Sequence, residues 1–503
     1  MPKLNLCLAM MVAGLVAAAP AAVAQDRAAL GPALDDFVQM AMTRVEAVPG
    51  LAIAVVDRQG LIHAAGFGVA DIETGAPVTV DTPFYIASAT KPFTALAIAL
   101  MDQRGQLDLD APLAAWSVGS GIPQEVAETV TLGDLLSHQS GVRNEPIAFR
   151  VAFSGDWTPD VLWRLTSETI PNEAAPHGRF MYTNAGYNLA TVLLEQRWGR
   201  DWRALVEEDV LFPLGMTRTT ARIDAQRAAG TPISAGHSGD QPGQARRSPL
   251  QKVDATMQSA GGLMSSASDM ALWLEAQIND GVVGGRRVLP AGLIAATHVP
   301  RVALDSRSGP YMREGYGLGW YTGRYGEDLL VHHFGGFSGS RAHVSLMPDR
   351  GLGVVVMVNE DLVAGELADV VANYVYDWLG GLPDVDAVHA ARVDALVETR
   401  DARRTRLAAG LEERSGRART LSLPDTAYAG DYHSSALGRL TVRARPEGLA
   451  FAIGQLHAVA GHGAQSETVR VELVPFQGMV AEFEVRDGVP VAVSLAGARF
   501  VRE

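Results

Sequence analysis

Two pairs of apolar runs of strand length stand near opposite ends of residues 25–384. Leu51-Ala-Ile-Ala-Val-Val56 and residues 61–67 flank Asp57-Arg-Gln-Gly60, a turn sequence, and predict a hairpin. Residues 342–347 and 353–358 flank Pro348-Asp-Arg-Gly351 and predict a second. Residues 34–45 read as a helix before the first pair, and residues 366–379 follow the second with helical spacing that would cover its sheet. The stretch between, 67–342, is rich in helix-like patterns, as at 92–104, 189–198 and 268–279. Strands first and last with helices between predict an α+β fold. One antiparallel sheet is built from both ends of the domain and flanked by helices, with an all-helical region inserted.

The pattern changes after about Asp384. A charged, Ala-rich segment, 385–420, reads as a solvated helical linker, its arginines offset by Asp401, Glu412 and Glu413. Residues 421–503 are strand-like throughout, at 428–433, 440–444, 449–453, 469–474, 480–485 and 491–495, several joined by Gly-containing turns. So many short strands in so few residues predict a small antiparallel β-barrel or sandwich.

Composition adds the cell-biological setting. Met1-Pro2-Lys3, an apolar stretch over 4–19 and the small-x-small Ala22-Val23-Ala24 have the order of an export signal cut after Ala24. The expected location is periplasmic or secreted, with no membrane span once residues 1–24 are removed. Cys7 is the only cysteine, so the mature chain has no disulfide, no cysteine nucleophile and no thiolate metal site. The formal charge of −14 becomes −15 without Lys3, with 41 basic against 56 acidic residues, which argues against a nucleic-acid partner. The expected partner is a small-molecule or peptide substrate; oligomeric state stays open.

Three segments carry candidate chemistry. Ser88-Ala-Thr-Lys91 falls between strand-like Phe84-Tyr-Ile86 and the helical run opened by Pro92. Ser88 then sits at a helix N-terminus, where free N–H groups favour developing negative charge, with Lys91 one turn on and on the same face. An amine there can take the hydroxyl proton, and burial would lower its pKa usefully. Taken alone, the segment fits equally a helix cap beside a surface lysine. Tyr182-Thr-Asn184 is a polar turn running into an apolar helix. A tyrosine beside a protonated lysine has its phenolate favoured, and so could act as a general base toward Ser88; the alternative is a buried tyrosine before a capped helix. His333-Phe-Gly335-Gly336 precedes the second hairpin. Its glycines permit close approach of a substrate, and the N–H groups of Gly336 and Ser88 together would form an oxyanion hole. His332 reads as a packing or surface residue, since no further ligands stand at metal-site spacing.

In order and rough separation, Ser-x-x-Lys, Tyr-x-Asn and His-x-Gly resemble the serine beta-lactamase-related superfamily, in particular its class C-like and DD-peptidase branch. Leu135-Leu-Ser-His-Gln-Ser-Gly141, Phe212-Pro-Leu-Gly-Met216, Ala260-Gly-Gly-Leu-Met-Ser265, Tyr316-Gly-Leu-Gly-Trp320 and Pro348-Asp-Arg-Gly-Leu-Gly353 are similar to that family too. The resemblance covers roughly residues 28–382. It implies a beta-lactamase/transpeptidase-like fold over 25–384, Ser88 as nucleophile and Lys91 and Tyr182 as base and acid. Asn184, His333, Gly335 and Gly336 would be substrate contacts, and no cofactor or metal is needed. Typical beta-lactamases of this shape have Lys where His333 stands. A largely neutral imidazole replaces a fixed charge, which favours a peptidase or esterase over a class C-like beta-lactamase. A non-catalytic penicillin-binding sensor should lack one of Ser88, Lys91 and Tyr182, and all three are present. An α/β-hydrolase elbow and a His-Glu-x-x-His zinc site are both missing. From Tyr428-Ala-Gly-Asp-Tyr432 onward, the C-terminal strands resemble the lipocalin-like barrel appended to several peptidases of this group, with a lid or an oligomer contact as its expected role.

Overall fold

A computed structural model describes residues 27–503 apart from 118, 243 and 244. The export-signal reading of residues 1–24 lies outside the described residues. The two expected hairpins form, as β1 (Gly50–Asp57) with β2 (Gly60–Asp71) and β9 (Ser340–Met347) with β10 (Leu352–Val358). β1 pairs antiparallel with β10 from Leu51 opposite Val358 to Asp57 opposite Leu352, so the two ends of the domain zip together at the sheet centre.

The sheet is wider than the hairpins alone. β3 (Ala76–Pro77), β4 (Val302–Ser308), β5 (Tyr311–Tyr316), β6 (Tyr321–Tyr325) and β7 (Asp328–His332) extend it to the order β4-β5-β6-β7-β9-β10-β1-β2-β3, and β8 (Gly335–Phe337) adds to the end of β9. The region inserted between the hairpins is therefore helical only in its earlier part. β1 and β10 are buried at every position, as the continuous apolar runs of central strands require. Strand alternation divides them between two cores. Ala52, Ala54 and Val56 face Ile98 and Trp273, on helices α2 (Lys91–Gln103) and α4 (Ala267–Ile278). Leu51, Ile53 and Val55 face Phe37 and Val371, on α1 (Arg27–Val45) and α5 (Ala364–Leu379). Helix α3 (Asn184–Trp198) lies with α2 on the first side.

Helix α6 (Val385–Ser415) occupies the expected charged segment, but it is docked rather than solvated all round. It buries Val393, Leu396, Arg400 and Arg404, and Arg400 and Arg404 donate to the carbonyls of Val45 and Gly239 at 2.6 and 2.8 Å. The C-terminal strands form a nearly closed nine-stranded antiparallel barrel from Gly430 to Arg502. Its three additional strands are Leu456–Val459, Gly461–His462 and Ala498–Arg502. Alternate burial along Gly448–Ile453 gives it a filled interior. That interior is continuous with Tyr85, Ala87, Met257 and Phe337 of the larger domain. Arg150 Nε donates to Ala436 O at 2.7 Å, and the Gln455 backbone N–H donates to Ser154 O at 2.8 Å, fixing the contact.

Candidate active site

Phe84–Tyr85 pairs with Met264–Ser265, and the chain then turns sharply at Ala87, a non-glycine residue at φ 45°. Held conformations of this kind cost free energy and persist only where packing enforces them. The turn leads into a short 3₁₀ segment, Ala87–Thr90, in which Ser88 alone is not buried. Ser88 thus precedes α2 by one tight turn rather than standing within its first α-helical turn, and its side chain caps no N–H of that helix. Pro92 occupies the first turn as expected.

Lys91 is fully buried. Its Nζ lies 3.2 Å from Ser88 Oγ, 2.8 Å from Asn184 Oδ1 and 2.7 Å from Ala260 O. Burial drives the Lys91 pKa well below its ordinary value. A neutral amine has two N–H groups and one lone pair. Asn184 Oδ1 and Ala260 O can only accept, so they take the two protons and the lone pair is left facing the Ser88 hydroxyl.

Tyr182 comes from the turn before α3, whose N-cap is Thr183, with Oγ1 accepting from Ala185 N–H. The Tyr182 ring lies 4.7 Å from Lys91 Nζ, and its hydroxyl is within interaction range of Ser88. Tyr182 is 37% exposed and lines the cavity. Burial raises the phenol above its ordinary range, and the interaction with Ser88 only partly opposes that. This direction favours the protonated phenol, opposite to the phenolate expected from the sequence, with burial as its first cause.

His138, which sequence reasoning placed only in a supporting segment, backs this tyrosine. It is buried at φ 60°, its ring centroid is 4.4 Å from that of Tyr182, and its Nδ1 accepts from Thr183 N–H at 3.3 Å. Burial, then Lys91 and His333, lower its pKa well below the usual value, so it is a neutral support. Sequence alone signalled it only as the one ionisable ring in Leu135–Gly141.

His333 is also buried, with Nδ1 2.9 Å from Phe334 O and Nε2 without a hydrogen-bond partner. Burial and then Lys91 hold its pKa well below the ordinary value, so it carries no fixed positive charge. His332 packs at full burial, its Nε2 3.1 Å from Arg313 Nε. No metal-holding group of side chains occurs among the described residues.

Gly335 packs directly on the turn before Ser88. His333 N–H donates to Val344 O, and Gly335 stands opposite Ala342. By antiparallel alternation, the N–H of Gly336 points away from β9. Ser88, Tyr182, Asn184 and Gly336 all line one cavity of about 770 Å³. The structure thus gathers Ser88, Lys91, Tyr182, Asn184 and the His333–Gly336 strand at one place, where a hydroxyl, a buried amine and a phenol surround an outward-facing backbone N–H.

A mixed sheet-and-helix domain with this constellation defines the penicillin-recognising class of fold. The chain belongs to the Beta-lactamase family, whose model matches residues 34–373. It is 29% identical over 338 residues to unguisins hydrolase ungD of Aspergillus violaceofuscus, covering 62% of this chain and 58% of that protein. It is 28% identical over 358 residues to penicillin-binding protein 4 of Amycolatopsis lactamdurans, covering 68% and 88%. The chain spans 58% and 62% of the two unguisins hydrolases it matches. The fold is shared with the octameric penicillin-binding protein homologue from Pyrococcus abyssi, at a TM-score of 0.58 and 22% identity over 94% of this chain and 99% of that one. It is also shared with D-amino acid amidase from Ochrobactrum anthropi SV3, at 0.54 and 20% over 73% and 99%.

Proposed function

We propose that the chain is a secreted serine hydrolase that cleaves an amide or ester through an acyl-enzyme on Ser88, as a peptidase or esterase. The observation that carries this reading is the Lys91 amine, buried, engaged by two obligate acceptors and 3.2 Å from Ser88 Oγ. In the reaction, Lys91 takes the Ser88 proton as Oγ attacks the carbonyl carbon. The N–H groups of Ser88 and Gly336 hold the oxyanion. The protonated Tyr182 phenol gives its proton to the departing amine or alkoxide, and Lys91 then reprotonates the phenolate. Water attacks the ester on Ser88 with Lys91 again as base, and Oγ recovers a proton as it leaves.

A neutral His333 lacks the positive charge that suits a dedicated beta-lactamase, which is why amide or ester substrates without a lactam ring are preferred. The relatives named as a hydrolase and a D-amino acid amidase support the same chemistry. The test is intact-mass detection of Ser88 labelling by a fluorophosphonate, with turnover of p-nitrophenyl butyrate, D-Ala-D-Ala peptides and nitrocefin. Labelling of wild type but not Ser88→Ala, with nitrocefin the poorest substrate, is expected. Fastest turnover on nitrocefin would make the protein a beta-lactamase; absence of labelling would make it a penicillin-binding sensor.

A further inference from the structure

The cavity beside Ser88 is not closed by the family core alone. Its outer wall is α6, which presents Arg403, Arg406 and Leu407 at helical spacings of three and four, together with the barrel loop around Phe476. Three arginines line the cavity, and they differ in how their charge is met. Arg341 donates to the carbonyls of Phe337, Ser340 and Asp361 at 2.9, 2.8 and 3.3 Å, and its charge acts on the Asp361 carboxylate. Arg403 is ion-paired with Glu366. Arg406 is exposed and makes no ion pair or hydrogen bond among the described residues. Asp361 lines the same cavity but stands with Arg341, so Arg406 is the lining cation left without an ion pair among the described residues. Leu362, Leu407 and Phe476 line the same cavity and are apolar.

We propose that this cavity selects amide or ester substrates bearing a carboxylate at the end of an apolar arm, with Arg406 as the specificity-determining residue. The inference rests on the Ser88 acyl-enzyme reading. The apolar side chains cover the arm, and the guanidinium offers paired N–H donors to the planar carboxylate. The selectivity comes from α6 and the barrel, elements outside residues 34–373 of the family match. It supplies a carboxylate contact that the neutral His333 does not.

Two substrate pairs test it, each differing only by a carboxylate. On the acyl side they are p-nitrophenyl octanoate and the mono-p-nitrophenyl ester of suberic acid; on the leaving side, phenyl octanoate and 3-carboxyphenyl octanoate. Wild type should favour the carboxylate member of at least one pair by roughly three- to tenfold in kcat/KM. Arg406→Glu should abolish or invert that preference and leave the neutral members within about twofold. Raising NaCl from about 20 mM to about 500 mM should erode the wild-type preference without any variant. No preference in either pair, or one that survives both salt and Arg406→Glu, overturns the inference. Labelling of Ser88 by a neutral fluorophosphonate in the same samples separates the two readings. Labelling without preference removes the carboxylate subsite alone, whereas wild type that is never labelled removes the Ser88 reading and this inference with it.

Discussion

A methyl group added to Gly335 would lie 1.9 Å from the carbonyl oxygen of Ile86, two residues before Ser88. The obstacle is backbone on both sides, so it cannot be relieved by a side-chain rotation. Gly335→Ala must push β8 off the turn that presents the nucleophile, opening the space between the N–H groups of Ser88 and Gly336. We expect kcat/KM to fall by about a hundredfold or more, the scale of a lost oxyanion donor. Gly336→Ala is the control, since the atoms nearest its Cβ would be those of the flexible Arg341 side chain, at 3.3 Å. It should keep activity within about tenfold. Equal losses in the two variants, measured on p-nitrophenyl butyrate, would show that the Gly335–Ile86 contact does not set the site.

Ser88→Ala and Tyr182→Phe should separate chemistry from folding. Ser88 caps no helix N–H, so its alanine variant should unfold within about 0.5 kcal/mol of wild type while losing acylation entirely. Tyr182→Phe removes the leaving-group proton and keeps the ring over Lys91. It should lower kcat by about 10²–10⁴ with little change in KM. Thermal melts and steady-state kinetics on the same preparations check both. Unchanged kcat in Tyr182→Phe would exclude it as the acid.

The pH dependence follows from the direction of the Lys91 shift. Burial lowers its pKa well below 10.5, so the neutral amine needed for proton abstraction exists well below that pH. Activity should rise with pH along one acid limb lying well below 10.5, as Lys91 loses its proton. His138 and His333 are both held neutral by burial and by Lys91, so the limb should persist in His138→Asn. Ser88 labelling rate against pH is the direct measurement. A limb near the ordinary lysine value would show that burial does not lower the Lys91 pKa.

What the sequence disclosed follows what each segment buries. Leu51–Val56 and residues 353–358 are fully enclosed strands, and their apolar runs are unambiguous. Val302–Ser308 is an edge strand with four of its seven positions exposed, and Tyr311–Tyr316 carries Arg313 and Glu314. Such strands show little apolar periodicity, so this part of the sheet was hidden inside a region that reads as helical. At the site, Ser88, Lys91 and Tyr182 are legible because their spacing is local or family-like. The Ala260 carbonyl that holds Lys91, the His138 ring under Tyr182 and the Arg406 wall come from tertiary approach, which no local pattern encodes. The direction of the Tyr182 shift has the same origin, since the burial behind it is a property of the fold.

Lys252 offers a test of burial away from the chemistry. It is 5% exposed, its ammonium lies 5.8 Å from the Tyr85 ring centroid, and burial pulls its pKa down from 10.5 to about 7. The unfolded chain holds the proton up to about pH 10.4. Between about 7 and that value the unfolded state binds more protons than the folded one, so stability rises with pH over this window. Below about 7 the folded protein carries the whole cost of enclosing the charge. Lys252→Met keeps the length of the side chain and removes that cost. It should stabilise the protein by roughly 1–4 kcal/mol at pH 6, and the gain should shrink steadily toward pH 10. Thermal melts of both proteins across this range decide the matter: a gain that is independent of pH would place the lysine's effect in packing, and a loss at pH 6 would mean the buried ammonium is a net stabiliser.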